Sequence, residues 1–153
     1  MQRRKFLSLS GLAAVAAMVP AAVNAEDFRK TKPTIWTAHT VDDAITAMYG
    51  TAKATESGVT VTMPDVAANG GAVPINVTSS IDAKSVAIFQ DANPEAAVAA
   101  FTIHDSSNID FDLKIKLKSD GTPINVTAIV QGKDGKLYVG KKTLTVALGG
   151  CEG

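Results

Sequence analysis

"IDFDLKIKLK" (109–118) alternates without a break: Ile109, Phe111, Leu113, Ile115 and Leu117 fall on one side of an extended chain, and Asp110, Asp112, Lys114, Lys116 and Lys118 on the other. Successive side chains of a strand point to opposite faces, whereas a helix would scatter these residues around its axis. A strand with one apolar and one charged face packs on one side and is wetted on the other, as in an antiparallel sheet with a solvated face.

Reading outward from this strand, the same period of two recurs. "VTVTM" (59–63) alternates, "PDVAANGGA" (64–72) follows as a turn-rich loop, and "VPINVTSS" (73–80) alternates again. "SVAIFQD" (85–91) runs to a break at Asn93-Pro94, and "AAVAAFTIH" (96–104) resumes. Beyond the opening stretch, "PINVTAIVQG" (123–132) meets a turn at Lys133-Asp134-Gly135-Lys136, with "LYVG" (137–140) and "KTLTVAL" (142–148) after it. An Asp-Gly pair between apolar runs is a strong hairpin signal. About seven short strands separated by turn signals predict an all-β, immunoglobulin-like sandwich over residues 26–148.

One short helix is expected near the start of that domain. In "TVDDAITAMYG" (40–50), Thr40 can cap with Asp43 three residues on, Val41, Ile45 and Met48 share a face, and Gly50 suits the stop. The helix is expected to pack at one end or edge of the sandwich, after an irregular lead-in (26–39) that holds Trp36 and His39.

Ahead of this domain the chain reads as an address. Arg3, Arg4 and Lys5 precede an apolar, Ala-rich run from about Phe6 to Val19 and a cleavage-like Val23-Asn24-Ala25. That is the pattern of a secretory signal peptide over residues 1–25, and "RRKFL" resembles the twin-arginine type. Removing it takes away three of the fifteen basic residues and none of the fifteen acidic ones, so the net charge moves from 0 to −3. A mildly acidic domain has no electrostatic reason to bind nucleic acid or an anionic membrane surface. The expectation is a periplasmic protein with no membrane span of its own.

Equipment for catalysis is sparse. His39 and His104 lie in separate segments with no ligand spacing, and Asp110/Asp112 sit on a solvated strand face as a charge pattern rather than an acid–base couple. "ANGG" (68–71) lacks the strand–turn–helix setting of a phosphate loop, so its glycines read as a turn. The chain is expected to be a non-enzyme, with no cofactor or metal of its own.

The tail is different. The sole cysteine, Cys151, follows Gly149-Gly150 and precedes Glu152 and Gly153 at the end of "VALGGCEG". A lone cysteine in an exported chain has no intramolecular partner, so it pairs with another molecule or serves as a reactive thiol. Glycines leave the backbone free to sample many conformations, and five extended residues reach about 17 Å. Residues 149–153 therefore read as a flexible arm able to carry the thiol into a narrow cleft of another protein. A free thiol titrates near pH 8.5, and neither Glu152 nor the terminal carboxylate favours the thiolate, so the visited enzyme must activate it. Sulfur is suited to a reversible load, because thiol–disulfide exchange both makes and undoes the bond.

These residues resemble a known family. "VALGGCEG" is similar to the Gly-Gly-Cys-Gly-Gly end of SoxY, the sulfur-carrier subunit of the periplasmic Sox thiosulfate-oxidation system. "VTVTMPDVAANGGAVPINV" (59–77), "VAIFQDANPEAAVAAFTI" (86–103) and "GKLYVGKKTLTVALGGC" (135–151) resemble successive strand–loop–strand units of the same family. The resemblance implies an immunoglobulin-like sandwich paired with SoxZ, a second sandwich subunit lacking the carrier cysteine. It implies that Cys151 is the covalent attachment point, with Gly149 and Gly150 as the proximal arm and Gly153 as the final glycine. It further implies transient partners: the haem protein SoxAX joins thiosulfate to the cysteine, the di-manganese hydrolase SoxB releases sulfate, and in some systems a sulfur dehydrogenase oxidises the remaining sulfane. Glu152 departs from the family's usual Gly, adding bulk and negative charge beside the sulfur. The alternative is a non-catalytic sandwich subunit whose Cys151 only crosslinks to another chain. A terminal thiocarboxylate carrier would need Gly-Gly as its last two residues, and this chain ends Glu152-Gly153.

Overall fold

The structure is a computed structural model that describes residues 25–147 except 106 and 119. The expected signal peptide (1–24 of it) and the expected carrier arm (149–153), Cys151 included, lie outside the described residues.

Two sheets face each other. Strands β1 (Val59–Thr62), β3 (Val73–Ser79) and β6 (Ile109–Ile115) form a three-stranded sheet in the order β1-β3-β6. Strands β2 (Val66–Ala67), β4 (Ala83–Gln90), β5 (Ala97–Thr102), β7 (Ile124–Gly132) and β8 (Leu137–Val146) form a five-stranded sheet in the order β2-β8-β7-β4-β5. Strand β6 pairs antiparallel with β3, with Val77 opposite Phe111 and Ile75 opposite Leu113. As the alternation requires, Ile109 and Ile115 are buried while Asp110, Asp112 and Lys114 face water. The sandwich interior is Val61, Val73, Ile75, Val77, Val86, Ile88, Val126, Val130, Leu144 and Val146 with their neighbours. Full burial of one such side chain contributes about 1.5–3 kcal/mol, so this layer dominates the stability.

The five-stranded sheet is covered on both faces, and this corrects the expected place of the helix. Helix α2 (Val41–Tyr49) lies across the outer face of that sheet rather than at an end or edge; its Ala44, Ile45 and Met48 pack into a second core with Ala87, Phe89, Ile129 and Val139. Burial on both sides explains why β4 and β7 read as nearly continuous apolar runs. The caps are those expected: Asp43 N donates to Thr40 Oγ1 at 3.1 Å, and Gly50 closes the helix in the left-handed region. The lead-in is also more ordered than expected. A one-turn helix α1 (Phe28–Thr31) and a 3-10 segment η1 (Pro33–Thr37) insert Phe28 and Ile35 into the second core, and Arg29 stacks 4.3 Å over the Trp36 ring. Four- and five-residue elements are too short to show a helical period.

Two strand expectations change. "LYVG" and "KTLTVAL" form one continuous β8, because Gly140 does not end the strand but makes room for a crossing. A Cβ at Gly140 would sit 2.5 Å from the Val59 carbonyl oxygen, so β1 can lie this close over β8 only at a glycine. The loop 64–72 contains β2, a two-residue strand parallel to the end of β8, and a 3-10 turn η2 (Gly70–Ala72). Among the described residues eight strands result, where about seven were expected. The β7–β8 hairpin turns at 133–136 as predicted, with Gln131 opposite Leu137 and Gly132 N donating to Lys136 O.

Candidate functional site: the root of the arm

Strand β8 ends at Val146, ahead of the expected arm, and its last residues are held from two sides. Leu144 lies opposite Ile124 of β7 in an antiparallel pair, while Thr145 and Val146 run parallel to Val66 and Ala67 of β2. Thr145 N donates to Asp65 O at 2.9 Å, and Ala147 N donates to Ala67 O at 2.9 Å. Val146 is buried, so the chain stays seated in the sandwich until one residue before the end of the described region.

The "ANGG" turn is the wedge beside this exit. Asn69 Oδ1 accepts from Gly71 N at 2.7 Å, which shapes η2, and Leu117 N donates to Gly70 O at 2.8 Å. A Cβ on Gly70 would meet Leu117 O at 2.4 Å and Val146 Cγ1 at 3.3 Å. Only a glycine lets η2 sit between the end of β6 and the end of β8. This agrees with the turn reading of these glycines, and they also seat the end of β8 at Val146.

Polar groups brace the same end. Asn93, from the expected Asn-Pro break, accepts from Lys118 N and donates to Lys116 O, both at 2.8 Å. The break is organised by Gln90, whose Oε1 accepts from Ala92 N and Asn93 N and whose Nε2 donates to Glu95 O. Gln90 is fully buried, a role that sequence reasoning missed. Lys142 pairs with Asp65, and this ammonium holds the Asp65 carboxyl below its ordinary value. Val66, 63% exposed, places an apolar side chain beside the exit.

The other sequence candidates do not converge here. His39 Nδ1 lies 2.8 Å from Pro94 O, a structural contact, and His104 is exposed on the β5–β6 connection. Asp110 and Asp112 both accept from Asn76 Nδ2, at 2.9 and 3.0 Å, on the wetted face of the small sheet. Among the described residues, no three His, Cys, Asp or Glu side chains gather to hold a metal ion, and no helix is long and apolar enough to cross a membrane. Cys151, Gly149, Gly150, Glu152 and Gly153 lie outside the described residues.

A family model described as "Sulfur oxidation protein SoxY" matches residues 45–151, from helix α2 through Cys151. This chain belongs to the SoxY family. The assignment agrees with a solved structure, the sulfur carrier protein SoxY from Chlorobium limicola f thiosulfatophilum, which is 30% identical. That match covers 74% of this chain and 96% of that one, with a TM-score of 0.63. A superoxide reductase (neelaredoxin) from Ignicoccus hospitalis is 12% identical, with a TM-score of 0.51 over 60% of this chain and 81% of that one. At that identity the likeness to neelaredoxin concerns the SoxY sandwich fold alone. No curated protein matches the chain.

Proposed function

We propose that this SoxY-family chain is a covalent carrier of thiosulfate-derived sulfur, loaded on Cys151 and presented by the arm 149–153 to sulfur-oxidising enzymes of the periplasm. The observation that carries this reading is a family match that runs through to residue 151, on a sandwich whose last strand leads to Ala147. The solved relative is named as a sulfur carrier, which supports the same role here.

In loading, the Cys151 thiolate and thiosulfate form a sulfur–sulfur bond and give up two electrons, which a SoxAX-like haem protein accepts. Water then attacks the terminal sulfone at a SoxB-like hydrolase. Sulfate and two protons leave, and a persulfide stays on Cys151. A sulfur dehydrogenase, in systems that have one, takes that sulfane further. The chain contributes the thiol, the reach of Gly149 and Gly150, and a fixed origin for the arm; its partners supply the chemistry. A SoxZ-like sandwich subunit is the expected stable partner, and residues 1–25 are read as the export signal removed beforehand. Glu152 sits beside the load, where its carboxylate disfavours anionic adducts.

Intact mass of the native protein purified without reductant tests the proposal. An adduct on Cys151 that thiol reductant removes is expected. A thiol that stays unmodified after incubation with thiosulfate and the partner enzymes sinks it. Non-reducing electrophoresis separates the crosslinking alternative: there, Cys151→Ser abolishes a covalent dimer while sulfur oxidation continues.

A further inference from the structure

At the end of the five-stranded sheet remote from the arm, a cleft of about 230 Å³ opens on the outer face, between the sheet, the lead-in and the C-terminal end of α2. By register, the row Thr102–Ser85–Gln131–Leu137 marks this end, and the pair Ile124–Leu144 marks the arm end. Seven residues at about 3.3 Å each put the two roughly 23 Å apart.

A break in strand β4 builds the cleft. Pairing with β7 runs Ala83 to Gly132 and then Ser85 to Gln131, so Lys84 is an extra residue. Ala83 and Val86 both belong to the inner core, while Ser85 reaches Tyr49 on the outer side. Two consecutive residues, Lys84 and Ser85, therefore share the outer face, where regular alternation would have sent the lysine elsewhere. Bulges are used to re-aim a side chain in this way. The result is a lysine beside a serine that is only 4% exposed, in a layer built largely of apolar side chains.

The polar groups of the cleft are loosely paired. Ser85 Oγ donates to Gln131 Oε1 at 3.3 Å and has Tyr49 Oη at 3.4 Å, both beyond the 2.5–3.0 Å of a good hydroxyl hydrogen bond. Burial raises the Tyr49 phenol above its ordinary value, so it keeps its proton to donate. Thr102 Oγ1 accepts from Glu26 N at 3.2 Å, which leaves its own proton available. Lys32 also lines the cleft but is committed to the carbonyl of Met48, and the Glu26 carboxylate accepts from Thr31. Among the described residues, the hydroxyl-bearing Tyr49, Ser85 and Thr102 and the side chain of Lys84 thus border a space large enough for a small anion and several waters. The long Ser85–Gln131 bond is the one a ligand would displace.

We propose that the Lys84 bulge, with Ser85, Tyr49 and Thr102, forms a binding site for a small tetrahedral oxyanion, separate from the carrier thiol. The donor set matches such a ligand: hydroxyls and an ammonium meet its oxygens, and charge-assisted bonds of this kind are the strong ones. The site is independent of the carrier reading, since it involves neither the arm nor Cys151.

Calorimetric titration with sodium sulfate, at constant ionic strength and with sodium acetate as the planar comparison, tests this on the full chain carrying Cys151→Ser. Saturable sulfate binding is expected, weakened about tenfold or more by Lys84→Met and measurably by Ser85→Ala. Lys136→Met, which removes an exposed lysine elsewhere, should leave it unchanged. Lys84 is exposed, so its variant should fold, and thermal melting without sulfate checks that it does. The proposal is overturned by an absence of saturable binding at millimolar sulfate, by equal affinity in Lys84→Met, or by acetate binding as tightly as sulfate. Each result stands whatever the mass measurement on Cys151 gives.

Discussion

Where β8 terminates, the backbone is fastened at normal hydrogen-bond lengths: 2.9 Å for Thr145 to Asp65 and Ala147 to Ala67, and 2.8 Å for Leu117 to Gly70. At the opposite end of the same sheet, the buried Ser85 hydroxyl touches its neighbours at 3.3 and 3.4 Å across an open cleft. One sheet thus carries an end packed so tightly that a single methyl does not fit at Gly70, and an end whose polar groups leave room for an occupant. Tight packing fixes an origin and loose pairing accommodates a guest. The two ends can be perturbed separately.

The largest expected effect lies beyond the tight end. Cys151→Ser should abolish the sulfur adduct completely in intact-mass measurements, with the thermal melting curve unchanged. Next comes the wedge itself. Gly70→Val forces a Cβ against Leu117 O and Val146, so overpacking of about 1–3 kcal/mol is expected, read as a lower denaturation midpoint. If Gly70→Val melts like the parent chain, the arm root is not the rigid element described. Thr40→Ala removes the cap of α2 on the outer face of the sheet and should cost about 1 kcal/mol in chemical denaturation. A cost clearly above that of Gly70→Val would mean that the outer helix contributes more to stability than the packing at Gly70.

The smallest effect is electrostatic. Asp65 is held below its ordinary value of 3.8 first by its hydrogen bond to Lys142 and then by the charge itself. Because the folded carboxyl is the stronger acid, its stabilising share is present above pH 3.8 and is lost as pH falls through the depressed folded value. A carboxyl titration followed by NMR should place Asp65 below 3.8, and Lys142→Met should return it towards that value. The pair is exposed, so salt should weaken the shift.

How much of this can be read in the residues differs between elements for physical reasons. Strand β6 is legible because one face is wet, and the Thr40 and Gly50 caps of α2 because cap chemistry is local. Strand β2 is not, since two residues carry no period and its parallel pairing depends on a strand at the far end of the chain. Gly140 looks like a boundary because a glycine that admits a crossing strand resembles one that ends a strand; only the position of Val59 distinguishes them. The Lys84 bulge is hidden because β4 is buried on both faces, so its broken alternation reads as an ordinary apolar run. Of the candidate site, Cys151 and its glycines stand out by composition alone, whereas the root depends on Gly70, Asp65 and Ala67 meeting β8 through the fold.

The parallel clasp between β2 and β8 also acts as a gauge. With Ala147 hydrogen-bonded to Ala67, four residue steps of sequence lie between that position and the Cys151 sulfur, and under the proposed carrier role they form a leash of at most about 14 Å. In that proposed role, an enzyme that services the thiol must bring its reactive centre within that radius of the sandwich rim. Each residue inserted after Ala147 would lengthen the leash by about 3.5 Å and widen the set of clefts the sulfur can enter.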